Sequence, residues 1–134
     1  ADEEMRSEFS PALAKSAASV LSRLTGGAYT ELTLDRELNA LVRCAGEPVL
    51  HESAFLSRGT ADQLYLALRL ALCDMLLGGD EPCPIVLDDA LINFDDARMG
   101  YALDYLAEIA QHRQILLFSC HSREKRYIQA KNED

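Results

Sequence analysis

Two adjacent acids, Asp88 and Asp89, close a short apolar run, Pro84-Ile85-Val86-Leu87. Upstream lies Leu56-Ser57-Arg58-Gly59-Thr60-Ala61-Asp62-Gln63, and downstream comes Ile115-Leu116-Leu117-Phe118-Ser119-Cys120-His121. An apolar run of this kind reads as a strand buried on both faces. Carboxylates are costly inside a core, so a pair at its end belongs where the sheet meets solvent or a ligand. In open α/β sheets that carboxyl edge is where ligands bind. There Asp88 would hold a magnesium ion, directly or through water, and Asp89 would polarise an attacking water. Ser-Arg-Gly ahead of a helix presents backbone amides and the positive end of the helix dipole, which favour a phosphate. Ser57 adds a hydroxyl, Arg58 a cation, and Gly59 a close approach of backbone. A neutral imidazole at His121, directly after a second buried strand, could donate to a γ-phosphate. In this order the elements point to half of an ATP site.

Each feature also has a plainer account. Ser, Gly and Thr are common at any capped helix start, so taken alone the Ser57 loop is only that. The two acids could cap a solvated turn, and a lone histidine is more often structural or exposed. Asn93-Phe94-Asp95 follows the acids closely, and Asp95 could simply cap the next helix. It is the joint pattern that carries the chemistry.

The elements that must position these residues are legible in outline. Phe9, Leu13, Ala17, Val20, Leu21 and Leu24 recur at helical spacing, which predicts a helix from about Ser7 to Leu24, ended by Gly26-Gly27. Tyr29 to Leu34 reads as a strand, Asp35-Arg36-Glu37 as a turn, Leu38 to Cys44 as a return strand, and Ala45 to Pro48 as a loop. Thr60 and Gln63 fit a capping box at the start of a second helix running to about Leu77. That helix is apolar on most sides, with Asp62, Arg69 and Asp74 as its charged positions, so it is expected to be buried among other elements. Gly78-Gly79-Asp80 ends it, and Glu81-Pro82-Cys83-Pro84 leads into the central strand. Asp95 or Asp96 can cap a third helix, roughly Ala97 to Gln111, with Leu103, Leu106, Ala107 and Ala110 as its stripe. Ile115 to Ser119 is another strand, and Ser122 can cap a short terminal helix. Strand, helix, strand, helix implies a right-handed parallel crossover.

Composition sets the frame. The chain has 134 residues, enough for one modest domain, and 49% hydrophobic with 26% charged residues argues against disorder. The formal net charge of -9 argues against a dedicated nucleic-acid surface on this piece. Cys44, Cys73, Cys83 and Cys120 show no CxxC spacing, so buried free thiols in a reducing, cytoplasmic setting are expected rather than a zinc site. No apolar run is long enough to span a membrane, so no membrane partner is expected. The opening on Ala1 fits an excised piece of a longer protein.

Leu56-Ser57-Arg58-Gly59, Ile85-Val86-Leu87-Asp88-Asp89, Asn93-Phe94-Asp95 and His121, taken together, resemble the C-terminal half of an ABC-type ATPase head. The resemblance covers about Tyr29 to Tyr127. It is strongest to the coiled-coil branch: the structural-maintenance-of-chromosomes (SMC) proteins, the double-strand-break repair ATPases and YhaN-like bacterial ATPases. It implies an α/β lobe with a mostly parallel sheet flanked by helices and a small β-hairpin, over residues 28–134. Residues 1–27 would be the helix at the end of a coiled coil. It further implies ATP and Mg2+ as cofactors, Ser57, Arg58 and Gly59 in the signature loop, Asp88 as the Walker B aspartate, Asp89 as the general base, Asp95 in the D-loop and His121 as the switch histidine. The expected partners are the N-terminal half of the same head, a second head in a homodimer, and DNA through the intact protein.

Two positions depart from that family's pattern. Arg58 stands where many relatives have glycine, and Asp89 stands where most carry glutamate, an acid one methylene longer. No GxxxxGK[ST] phosphate loop occurs in the sequence. In the family that loop lies in the N-terminal half, so this chain alone is expected not to hydrolyse ATP. The alternatives are the ATPase domain of an ABC transporter, disfavoured by the absence of Gln directly after Gly59, and a non-catalytic interaction module that keeps only the fold.

Overall fold

The computed structural model describes residues 2–35, 37, 39–47, 50–52, 56–77 and 83–132, with side chains from Ser10 to Lys131. In chain order the elements are α1 (Asp2–Leu24), β1 (Tyr29–Leu34), β2 (Ala40–Cys44), β3 (His51–Glu52), α2 (Arg58–Leu77), β4 (Ile85–Asp88), α3 (Asp96–Ile109), β5 (Ile115–Phe118) and α4 (Arg123–Asn132). They build an antiparallel sheet of order β1-β2-β3 and a parallel pair, β4-β5. The result is the mixed α/β lobe that the sequence pattern predicts.

Helix α1 begins five residues ahead of the Ser7 start read from apolar spacing and carries Pro11 within it. The residues ahead of Ser7 have no apolar period, yet their acids suit a helix N-terminus. Leu13, Ala17, Val20, Leu21 and Leu24 are buried as their spacing requires; the Phe9 side chain lies outside the described residues. The helix stops because Gly26 and Gly27 adopt φ of 63° and 89°. Thr25 locks the stop: its hydroxyl donates to the Leu21 carbonyl at 2.8 Å and accepts from the Tyr29 amide at 3.2 Å. Gly26 is needed for space as well, since a Cβ there would lie 2.5 Å from Cζ of Tyr101.

Strand β1 has the bounds its alternation predicts. Asp35 makes the turn, with Oδ1 accepting from the amides of Glu37 at 2.9 Å and Asn39 at 2.8 Å. These bonds, the Asn39 amide first, hold its carboxyl below the usual carboxylate range. The return strand starts at Ala40; the Arg36 and Leu38 parts of the expected turn and strand lie outside the described residues, as does Pro48 of the following loop. A third strand, His51–Glu52, pairs with Leu41 and Val42 and was not foreseen, being too short to show a period.

The parallel pair corrects a second expectation. Both strands were read as buried on two faces, but they alternate: Ile85 and Leu87 are buried while Val86, Leu116 and Phe118 are 47%, 40% and 55% exposed. Continuous apolar runs hide this, because periodicity cannot separate one covered face from two. Helix α2 is likewise one-sided. Leu64, Leu66, Ala67, Leu70 and Ala71 are buried, whereas Tyr65, Met75, Leu76 and Leu77 stand exposed. The expected Gly78 to Pro82 connection lies outside the described residues.

Helix α3 starts at Asp96 with Asp95 as its N-cap, the Asp95 side chain accepting from the Arg98 amide. Its buried stripe is Met99, Ala102, Leu103 and Leu106; Ala107 and Ala110, assigned to it from sequence, are exposed. Helix α4 packs on α3, with the Tyr127 hydroxyl donating to Asp104 at 3.0 Å above Gly100. All four cysteines are free thiols, but none is buried as expected: Cys44 and Cys73 are half-buried, and Cys83, ahead of β4, and Cys120, after β5, are exposed because they lie beyond the strand ends. Among the described residues no helix is long and apolar enough to cross a membrane.

Candidate functional site

Strands β4 and β5 run parallel in register, with Asp88 opposite Phe118. Their carboxyl ends therefore lie side by side, and the residues that follow them meet. The Asp89 amide donates to the Phe118 carbonyl at 2.8 Å, carrying the pairing one step past the strand. Asp89 then turns with φ of 50°, the left-handed region that aspartate tolerates better than most residues. Its carboxylate reaches across to β5. Oδ1 accepts from the Cys120 amide at 3.1 Å, and the Cys120 thiol lies 3.7 Å from Oδ2. That hydrogen bond, above all, pushes the Cys120 thiol up, so it stays protonated and donates.

Asp88 is exposed, and its carboxylate makes no hydrogen bond or ion pair among the described residues. One uncommitted carboxylate at a strand end suits a magnesium ion, which is held by one or two carboxylates together with phosphate oxygens and water. His121 is exposed beyond β5 in a bend fixed by Ser119, whose hydroxyl accepts from the His121 amide at 3.1 Å. Asp88, Asp89, Cys120 and His121 thus share one edge of the fold. Beside it the chain between Cys120 and Gln129 forms a groove that Glu124 also lines. Glu124 is buried, and its Oε2 finds no partner among the described residues.

A second group forms at the start of α2. Ser57 is the N-cap: its Oγ accepts from the Thr60 amide at 3.2 Å and donates to the Thr60 hydroxyl at 2.9 Å. This corrects the capping box read at Thr60 and Gln63, since the helix already begins at Arg58. The spacing was right for such a box, but Ser57 stands three residues earlier with the same chemistry. Gln63 is freed for another use. Arg58 is exposed at the first helical position, and Gly59 behind it is buried. Asp95 belongs to this second group, because Arg98 ties the two helix starts together. Asn93 adds a direct link, its amide donating to Asp62 at 2.7 Å.

The structure therefore gathers the sequence-derived residues into two clusters: Asp88, Asp89 and His121 at the strand ends, and Ser57, Arg58, Gly59 and Asp95 at the helix starts. The residues that sequence reasoning missed are Arg98, Gln63 and Cys120. Cys120 had a visible signal, its place between an apolar strand and a histidine. Arg98 had none, and Gln63 only that of a capping box it does not form: their ties to other helices reach 35 or more positions along the chain.

No family model matches the sequence. The chain is 31% identical over 116 residues to YhaN of Bacillus subtilis (strain 168), an uncharacterized protein; the match takes in 86% of this chain and 12% of YhaN, so the chain spans about an eighth of that relative's length. Among solved structures it superposes with a TM-score of 0.75 on an SMC ATPase studied for ATP-driven dimerization and DNA-stimulated activation, at 16% identity, covering 94% of this chain and 76% of the other. An Smc head bound to the C-terminal winged-helix domain of ScpA gives 0.71 at 16% identity, with 93% of this chain and 39% of that one covered. The Smc head of Pyrococcus yayanosii with a coiled coil and joint gives 0.69 at 18% identity, with 94% and 25% covered. The chain has the SMC ATPase-head fold, in the form of its C-terminal lobe, and the likeness read from its motifs agrees with its similarity to YhaN.

Proposed function

We propose that this chain is the C-terminal half of an SMC-like ATPase head, and that it supplies four elements to ATP bound between two heads. The observation that carries this reading is the shared edge of β4 and β5. An uncommitted acid, Asp88, stands beside a tethered acid, Asp89, and an exposed histidine follows the neighbouring strand. Magnesium held by Asp88 would neutralise charge on the β- and γ-phosphate oxygens. Asp89 takes the proton from the attacking water; a carboxylate has about four lone-pair sites, so the contacts to Cys120 leave room for it. His121 donates to the γ-phosphate. The start of α2, with Ser57, Arg58 and Gly59, presents amides and a cation to the ATP of the partner head. Asp95 fixes the loop that meets the partner.

The exposed sheet face of Val86, Leu116 and Phe118 is the surface that the N-terminal half of the same head covers. The intact protein would couple hydrolysis to DNA maintenance or repair, with α1 as the end of a coiled coil. The test uses the full-length protein with magnesium and ATP. Asp89→Asn is expected to retain ATP binding and slow phosphate release by about 10²–10⁴-fold. Hydrolysis at the parent rate removes Asp89 as the base. Robust turnover by this chain alone, lost in Asp88→Ala, would overturn the two-half reading.

A further inference from the structure

One polar network in the fold joins residues to which the chemistry above gives separate roles. The Arg98 guanidinium, near the start of α3, has three arms. Nη1 donates to Asp95 at 3.0 Å, Nη2 to the Thr60 hydroxyl at 3.1 Å, and Nε to Gln63 Oε1 at 3.1 Å. Two of these partners, Thr60 and Gln63, pass the contact on. Thr60 also receives the Ser57 hydroxyl at 2.9 Å. Gln63 is 1% exposed, and its Nε2 donates to the Leu24 carbonyl, in the last turn of α1, at 2.8 Å. Space for the guanidinium comes from Gly59, where a Cβ would lie 3.0 Å from Nη1 and 3.3 Å from Cζ. The glycine of the Ser-Arg-Gly loop thus serves the arginine behind it as well as any phosphate in front.

We propose that Arg98 is a positioning residue that holds the Ser57 loop, the Asp95 cap and the end of α1 as one unit, so that the direction of α1 sets where the first two are presented. The reading of those loops as ATP-contacting rests on the proposed function; the unit itself does not. Further contacts agree with it. Arg23 pairs with Glu108 of α3 and stacks over Tyr105 with 5.2 Å to the ring centroid, while Tyr101 lies on Gly26. The end of α1 is tied to α3 by these contacts and to α2 through Gln63, and Arg98 ties α3 to the start of α2. A planar fork suits this junction because one guanidinium can direct separate donors to separate acceptors, which an ammonium does poorly.

Amide hydrogen exchange on this chain tests the unit. Arg98→Met keeps the aliphatic stem and removes every donor. It is expected to speed exchange about tenfold or more at three sites together: Thr60 in α2, Met99 in α3, and Thr25 and Gly27 after α1. Gln63→Glu keeps the acceptor for Arg98 and removes the donor to Leu24; it should loosen Thr25 and Gly27 and spare Met99. Arg98→Lys should fall between parent and Arg98→Met. The Leu32 and Val42 amides report whether the fold persists, and if Arg98→Met loses it the other two variants decide. Loosening confined to α3 in the arginine variants, or parent-like Thr25 and Gly27 in Gln63→Glu, overturns the proposal. In the full-length protein, Arg98→Met should lower kcat with KM for ATP within about twofold of parent, and Arg98→Lys should recover part of the loss. A parent protein without ATP hydrolysis would sink the proposed function and leave the exchange result standing.

Discussion

The two sheets of this lobe are finished to different degrees. The antiparallel sheet lies against α1 through β1, and Val42 and Leu32 are buried in the core. Its turn is tied by Asp35 and its junction with α1 by Thr25. The parallel pair is covered on one side only, and the other side presents Val86, Leu116 and Phe118. On the proposed function, that open face is where the N-terminal half of the head packs. One of the two candidate clusters, Asp88, Asp89 and His121, sits at the ends of β4 and β5.

The contrast is tested most strongly within one strand. Leu87→Ala should destabilise the chain by about 2–5 kcal/mol, because a fully buried leucine leaves a cavity. Val86→Lys, one residue away on the open face, should change stability by less than about 0.5 kcal/mol. Urea unfolding of both variants makes the comparison, and equal losses would mean that the outer face is already packed. In the full-length protein Val86→Lys should instead disrupt the head, read as loss of ATP binding.

The junction between the two regions comes next. Gly26→Ala places a side chain at φ of 63° and into the Tyr101 ring. It should cost about 1–3 kcal/mol. Gly27→Ala has no atom within 4 Å of the added Cβ and only the backbone conformation to oppose it, so it should cost less. Thermal unfolding ranks the pair, and a reversed order would remove Tyr101 from the junction.

The smallest effect lies in the finished region. The Asp35 carboxyl is held below its ordinary value, first by the Asn39 amide. Its contribution is therefore complete above the unfolded pKa of about 3.9 and is lost as pH falls through the lower folded value. Carboxyl titration by NMR should give a midpoint below 3.9. A midpoint at or above it would mean that the turn is not tied through Asp35.

Much of the finished region could be read directly from residue order. The α1 stripe, the glycine stop and the Tyr29–Leu34 strand all follow from period and punctuation, which are local properties. The strand-end acids and His121 were equally legible, because charge at the end of an apolar run has few places to go. What stayed hidden was non-local. Whether Val86 is covered depends on elements outside the strand, and the partners of Gln63 and Arg98 lie on other helices. The capping box at Thr60 failed for a different reason: two equivalent caps stood three residues apart, and only the packed helix chose between them.

The left-handed backbone at Asp89 bears on the choice between two acids. A glutamate in this place would extend the carboxylate by one methylene, but it would also put a residue less suited to φ of 50° where the strand turns, and carry the charge past the Cys120 amide. The short acid is then accounted for by the corner itself. On the proposed function, in which Asp89 is the base, a longer acid there would require rebuilding the bend as well, so positions 89 and 120 should be varied as a pair.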